Sequence, residues 1–286
     1  MFFKFHKIFD ALTALERQVF EGALMVFAVS LFLNGANVFY RETVLTPIGG
    51  GVYVEGLVGQ PIAVNPILIS SNDADRDLSE IAYMDLLELA ENQRSNGDNR
   101  EWTVLIKENL YWSDGEPLSA DDVIFTIETI QNPETLSPLA NAWQSVSVEK
   151  LGDREVRFIL KTPYAFFEEN LADLKIIPRH IFGTIPAANL RLSDYNLEPV
   201  GSGPYRFSSF KKRKDGFILE YRFAANENYS GDKPLIEEFV FKFFPTYEAA
   251  IDAFNRHEIN GLGGMLPERL GAVKVGYRVH EIKIPR

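Results

Sequence analysis

The 286-residue chain is long enough for one large domain or two, and its 46% apolar content with 22 phenylalanines excludes a wholly disordered protein. A formal net charge of −11 excludes nucleic acid as a partner, because phosphate binding needs clustered Lys and Arg. With no cysteine, disulfides, thiolate chemistry, Cys-based metal sites and a lipid-modified N-terminal cysteine are all excluded.

Residues 1–18 carry Lys4, Lys7 and Arg17 and are expected in the cytoplasm; residues 19–40 are apolar with Glu21 as the sole charge. The uncharged core Gly22–Leu33 is 12 residues, the length of a signal-peptide core, whereas residues 19–40 give 22, enough to cross a bilayer. The basic side faces inward, so the expectation is a transmembrane signal anchor with the globular part outside the cytoplasm. A cleaved signal and a buried helix stay open as alternatives. Residues 41–51 form a linker ending in three glycines.

Val52–Val58 reads as a first strand, followed by turns at Gly59-Gln60-Pro61 and Asn65-Pro66. Residues 73–89 carry a helical period, and 92–99 read as a polar loop. Trp102–Ile106 is β-branched and aromatic, hence a strand, and Ser113-Asp114-Gly115 is a turn. Ser119 with Asp122 three residues on marks a helix start, Val123, Ile127 and Ile130 share its inner face, and Asn132-Pro133 ends it. Residues 145–148 and 155–160 predict a hairpin, 163–171 a helix, and 186–200 irregular chain. Gly201-Ser202-Gly203-Pro204-Tyr205 is a turn before strands at 205–210 and 217–223. Lys211–Lys214 reads as a solvated hairpin tip. A strand at 237–244 and a helix at 247–255 follow.

No nucleophile–base–orienter set is visible. His6, His180, His257 and His280 are scattered, without metal-ligand spacing. Asp121-Asp122 and Glu168-Glu169 are adjacent pairs that point apart on a helix, which argues against a carboxylate dyad. Tyr111 and Trp112 beside the turn either floor a pocket or pack the strand end. The residues favour a binding protein over an enzyme, with no catalytic residue, metal site or cofactor assigned.

The order of the punctuated segments carries a resemblance. Tyr53-Val54-Glu55-Gly56 with Asn65-Pro66, then Arg76-Asp77-Leu78, WTVLIKENLYWSDGEPLSADDVIFT, Gly201-Ser202-Gly203-Pro204-Tyr205, AIDAFNRHEINGL and HEIKIPR stand in the family's order. The chain resembles the family 5 extracellular solute-binding proteins, the peptide-binding components of ABC importers. The Trp-x-Asp-Gly-x-Pro-Leu-x-Ala-x-Asp-Val segment is its most specific motif.

The resemblance implies a mixed α/β, periplasmic-binding-protein-like lobe I of a two-lobed fold, carrying an inserted α+β subdomain. Residues 52–75 would begin lobe I, 76–199 would be the insertion, and 200–286 would return to lobe I and end at the crossover to lobe II. Family members run to roughly twice this length, so the chain reads as a fragment lacking lobe II. The resemblance also implies ligand contacts at Ile69, Ser70, Ser71 and Asn72, where main-chain and small polar groups would hold a peptide without reading its sequence. The implied partners are short peptides, ABC permease subunits and the membrane through the N-terminal helix. Alternatives are a sensory or scaffolding module, a relative binding nickel chelates or oligosaccharides, and, least, a hydrolase.

Overall fold

The computed structural model describes residues 13–42, 46–69 and 71–276. It divides into a unit up to residue 48 and a larger one from Gly49 onward.

The first unit is a single helix, α1 (Ala14–Glu42), 29 residues long with no residue buried. Thr13 opens it: its N–H and hydroxyl both donate to Glu16 Oε2, at 2.8 and 2.7 Å. That satisfies a group the first turn would otherwise leave unpaired.

The second unit holds two sheets. The larger takes β1 (Val52–Val58), β6 (Tyr205–Lys212), β7 (Ile218–Ala225), β8 (Glu238–Phe244) and β9 (Gly261–Leu262), in the order β6-β7-β8-β1-β9. β1 runs parallel to β8 from the pair Val52–Glu238 to Val58–Phe244, and parallel to β9 on its other side. Side chains alternate along a strand, so Tyr53, Glu55 and Leu57 share a face with Phe239, Phe241 and Phe243. Tyr221 and Phe223 of β7 continue that face, with ring centroids 5.0 Å apart, as Phe239 and Phe241 are 4.9 Å apart. This aromatic layer is where many of the phenylalanines go.

The smaller sheet is antiparallel, with β2 (Ala90–Ser95), β3 (Glu101–Ile106), β5 (Glu155–Leu160) and β4 (Val146–Lys150) in that order. Helix α4 (Ala120–Gln131) packs on it through fully buried Val123, Ile127 and Ile130. Its capping box is complete. The Ser119 hydroxyl accepts from Asp121 N–H, and Asp122 Oδ2 accepts from Ser119 N–H at 2.9 Å.

Three expectations are corrected. The helix expected over 73–89 breaks: α2 is Asp73–Ala82, and after an extended Tyr83 a single turn, α3 (Leu86–Leu89), begins under its own Asp85–Glu88 capping box. The polar loop expected over 92–99 is in its first half the edge strand β2, whose exposed polar side chains hide the alternation that marks half-buried strands. The helix expected from 163 begins four residues later, as α6 (Phe167–Ala172). A four-residue helix, α7 (Arg179–Phe182), follows, and helix α8 (Tyr247–Asn255) forms as predicted. The terminal HEIKIPR lies outside the described residues.

Candidate functional site

The stretch after β1 is a loop pinned by buried polar groups. The Asn65 side-chain oxygen accepts from Ile67 N–H, and its amide donates to Asn196 Oδ1 at 3.1 Å. Asn196 returns the contact, accepting from Val64 N–H on its carbonyl at 2.6 Å. Buried Asp75, on α2, accepts from Ile62 N–H at 2.6 Å and Ala63 N–H at 3.0 Å. Burial pushes the Asp75 carboxyl above its usual range, against the pull of those two donors and of Asn72. Ser137 donates its hydroxyl to the Ile67 carbonyl at 2.7 Å.

On this frame the four expected contact residues fall differently. Ile69 is half-buried and Ser71 exposed, and among the described residues their main-chain N–H and C=O groups have no hydrogen-bond partner. Ser70 lies outside the described residues. The Asn72 side chain is already engaged: its oxygen caps α2 at Ala74 N–H, 3.1 Å, and its amide donates to the Gln60 carbonyl, 3.0 Å. The Asn72 main-chain carbonyl accepts from Arg76 N–H at 3.2 Å, so any ligand contact at Asn72 falls to its N–H or needs the cap to break.

The two strongest sequence motifs meet elsewhere. Ser113 N–H donates to the Gly201 carbonyl at 2.8 Å, and Gly201 N–H donates to the Ser113 hydroxyl at 3.2 Å. Gly203 N–H donates to the Ala82 carbonyl at 2.8 Å, and the buried Ser202 hydroxyl accepts from Met84 N–H at 3.1 Å. These bonds take the carbonyl and N–H that a continuing helix would use, which is why α2 stops at Ala82. The glycines are required by space: a Cβ on Gly201 would sit 1.9 Å from the Ala82 oxygen, and one on Gly203 2.6 Å from the Ile81 oxygen. Sequence spacing gave no sign of this junction.

Groups weighed for catalysis are used structurally. Asp122 is buried in its cap and also accepts from Arg179 N–H at 2.9 Å, while Asp121 reaches Lys150 at 3.0 Å. His180 lies 2.8 Å from Asp114. Trp112 is fully buried and packs the strand end, and Tyr111 stays partly exposed. Among the described residues no group of three or more His, Cys, Asp or Glu could hold a metal.

Residues 87–284 match the model of the bacterial extracellular solute-binding proteins, family 5, middle region. The chain belongs to this family. The oligopeptide-binding protein AppA of Bacillus subtilis is 31% identical over 254 residues, 83% of this chain and 46% of AppA. The solved structure of AppA with a nonapeptide matches 75% of this chain and 44% of that one, at a TM-score of 0.70 and 30% identity. NikZ of Campylobacter jejuni, solved with Ni(L-His), matches 73% of this chain and 42% of that one, at a TM-score of 0.65 and 25% identity. The chain thus spans about half the length of the family 5 relatives it matches.

Proposed function

We propose that this chain supplies one lobe of a family 5 solute-binding protein that captures peptides outside the cytoplasm for an ABC importer. On this reading the larger sheet is lobe I, residues 76–199 are its inserted subdomain, and α1 is an uncleaved membrane anchor. The observation that carries it is the pair Ile69 and Ser71, next to a frame of buried polar bonds, whose main-chain groups have no hydrogen-bond partner among the described residues. Free main-chain donors and acceptors bind a peptide through what all peptides share, which suits a permissive carrier. The two carboxylates weighed for hydrolysis are both hydrogen-bonded within the fold. Asp122 accepts two backbone N–H groups, and Glu168 accepts from Gln93. This supports a binding role over a hydrolase.

Titration calorimetry of the full chain with a pool of short peptides tests the reading, with uptake of peptides as the expected result. A second reading, capture of a metal chelate, is favoured by the likeness to NikZ. Heat with nickel–histidine and none with peptides would replace the first reading by the second.

A further inference from the structure

α1 carries a pattern that crossing a bilayer alone does not need. Val19, Ala23, Val26, Ser30, Leu33 and Asn37 follow one another at alternating steps of four and three residues. An average step of about 3.5 keeps them on one face of a helix that coils gently around a neighbour. Ala23, Ser30 and Asn37 share one register position of that face. Small and polar residues there admit the close, hydrogen-bonded approach by which helices associate in lipid. Glu21, the sole charge of the span, lies on the opposite side, as do Ala28 and Gly35.

The same face is concave in the structure. Val26, Ser30, Leu33 and Asn37 line a groove along α1, together with Asn34. No residue of the helix is buried. The Asn34 amide donates to the Ser30 carbonyl at 3.0 Å, while the Asn37 side chain has no hydrogen-bond partner among the described residues. Counted from Val29 at mid-span, Asn34 and Asn37 stand about 7 and about 12 Å along the axis, inside the roughly 15 Å half-thickness of the hydrocarbon. Lipid tails cover valine and leucine but offer an amide neither donor nor acceptor.

The complement Asn37 needs is a donor and an acceptor at the same depth. A second Asn37 offers both. Its N–H and its carbonyl carry opposite partial charges, so two such amides facing across a twofold axis each donate to the other. The basic N-terminal side inserts every copy the same way round. Two copies therefore meet parallel, with identical positions opposed, and a single buried Asn then fixes the register of the pair.

We propose that α1 pairs in the membrane with the α1 of a second copy along this face, with the two Asn37 side chains bonded to each other. This rests on the membrane-anchor reading above. The pairing brings two globular units to one place in the membrane.

The chain has no cysteine, so single cysteines report the contact cleanly. The full chain is reconstituted in vesicles of phosphatidylcholine and phosphatidylglycerol and oxidised with copper–phenanthroline. Val26→Cys and Leu33→Cys should give disulfide-linked pairs in at least about fivefold higher yield than Ala28→Cys and Gly35→Cys on the far side. Asn37→Leu, added to Leu33→Cys, should raise the protein-to-lipid ratio needed for half-maximal linkage about tenfold and leave the chain in the pellet after an alkaline carbonate wash. Equal yields on the two faces, or linkage unchanged by Asn37→Leu, would overturn the pairing. So would chains that stay in the pellet yet link at no position, which would leave the groove to lipid or to the helix of another protein. Release of the unmodified chain by carbonate overturns the anchor reading, and the pairing with it.

Discussion

Asp75 shows at residue scale how the loop is held. Its carboxylate is buried, and it accepts from the N–H groups of Ile62 and Ala63. Asp75→Ala leaves those donors without their partner and should cost about 2 kcal/mol. Asp75→Asn keeps an acceptor oxygen and should cost less than half of that. The two variants also differ in pH dependence. Because burial raises the Asp75 pKa in the folded state, the folded protein binds its proton at a higher pH than the unfolded chain does. The resulting stabilisation is full below the unfolded value of about 3.9 and is lost as pH rises through the folded value. The wild type should therefore gain on Asp75→Asn as pH falls from about 7 to about 4. Urea unfolding at both ends of that range measures the difference. A constant gap between the two proteins would show that Asp75 carries no such linkage.

Among the elements, the junction of the Ser113 turn with Gly201–Gly203 holds the two sheets' connections together, and it sorts what was legible in the sequence from what was not. The strand, turn and capped helix at 102–133 could be read nearly residue by residue, because capping and turn chemistry act within four residues. β1 and α8 were legible for the same reason. The break in the helix expected over 73–89 was not, since its cause, Ser202 on Met84 N–H, lies 118 residues away. β2 was hidden because an edge strand of polar residues lacks an apolar face. In the candidate loop, the Asn65-Pro66 turn was visible, but the engagement of Asn72 depends on the Gln60 carbonyl twelve residues back. Two glycine substitutions separate close packing from backbone conformation. Gly201→Ala drives a methyl into the Ala82 carbonyl and should cost about 3 kcal/mol, since backbone on both sides must move. Gly216→Ala, in open space at φ +91°, should cost only about 1 kcal/mol, the price of a left-handed alanine. Thermal melts of the two variants decide. Equal losses would mean that the Gly201 contact relaxes freely.

For the whole molecule, the proposed capture role requires that the globular unit be held at the membrane. α1 is about 44 Å long at 1.5 Å per residue, more than the roughly 30 Å of a bilayer's hydrocarbon core. Its side chains from Leu24 to Leu33 are apolar apart from Ser30, and none is buried in protein. A helix in water would need a partner to cover that surface, whereas in lipid it needs none. Its backbone bonds are satisfied within the helix, and the Asn34 amide donates to the Ser30 carbonyl at 3.0 Å. If α1 is the proposed anchor, Lys4, Lys7 and Arg17 on one side against Arg41 and Glu42 on the other give the basic bias that would keep the first side inside. An anchor of this kind leaves the intact chain in the membrane pellet after alkaline carbonate washing, with residues 1–18 still attached by mass. Val29→Arg, at the middle of the span, adds about 3 kcal/mol to insertion and should move much of the protein to the soluble fraction. Ile48→Arg, beyond the helix, should not. A wild-type product beginning after residue 40 would show instead that the segment is a cleaved signal, and the retention argument would then fail for the mature protein.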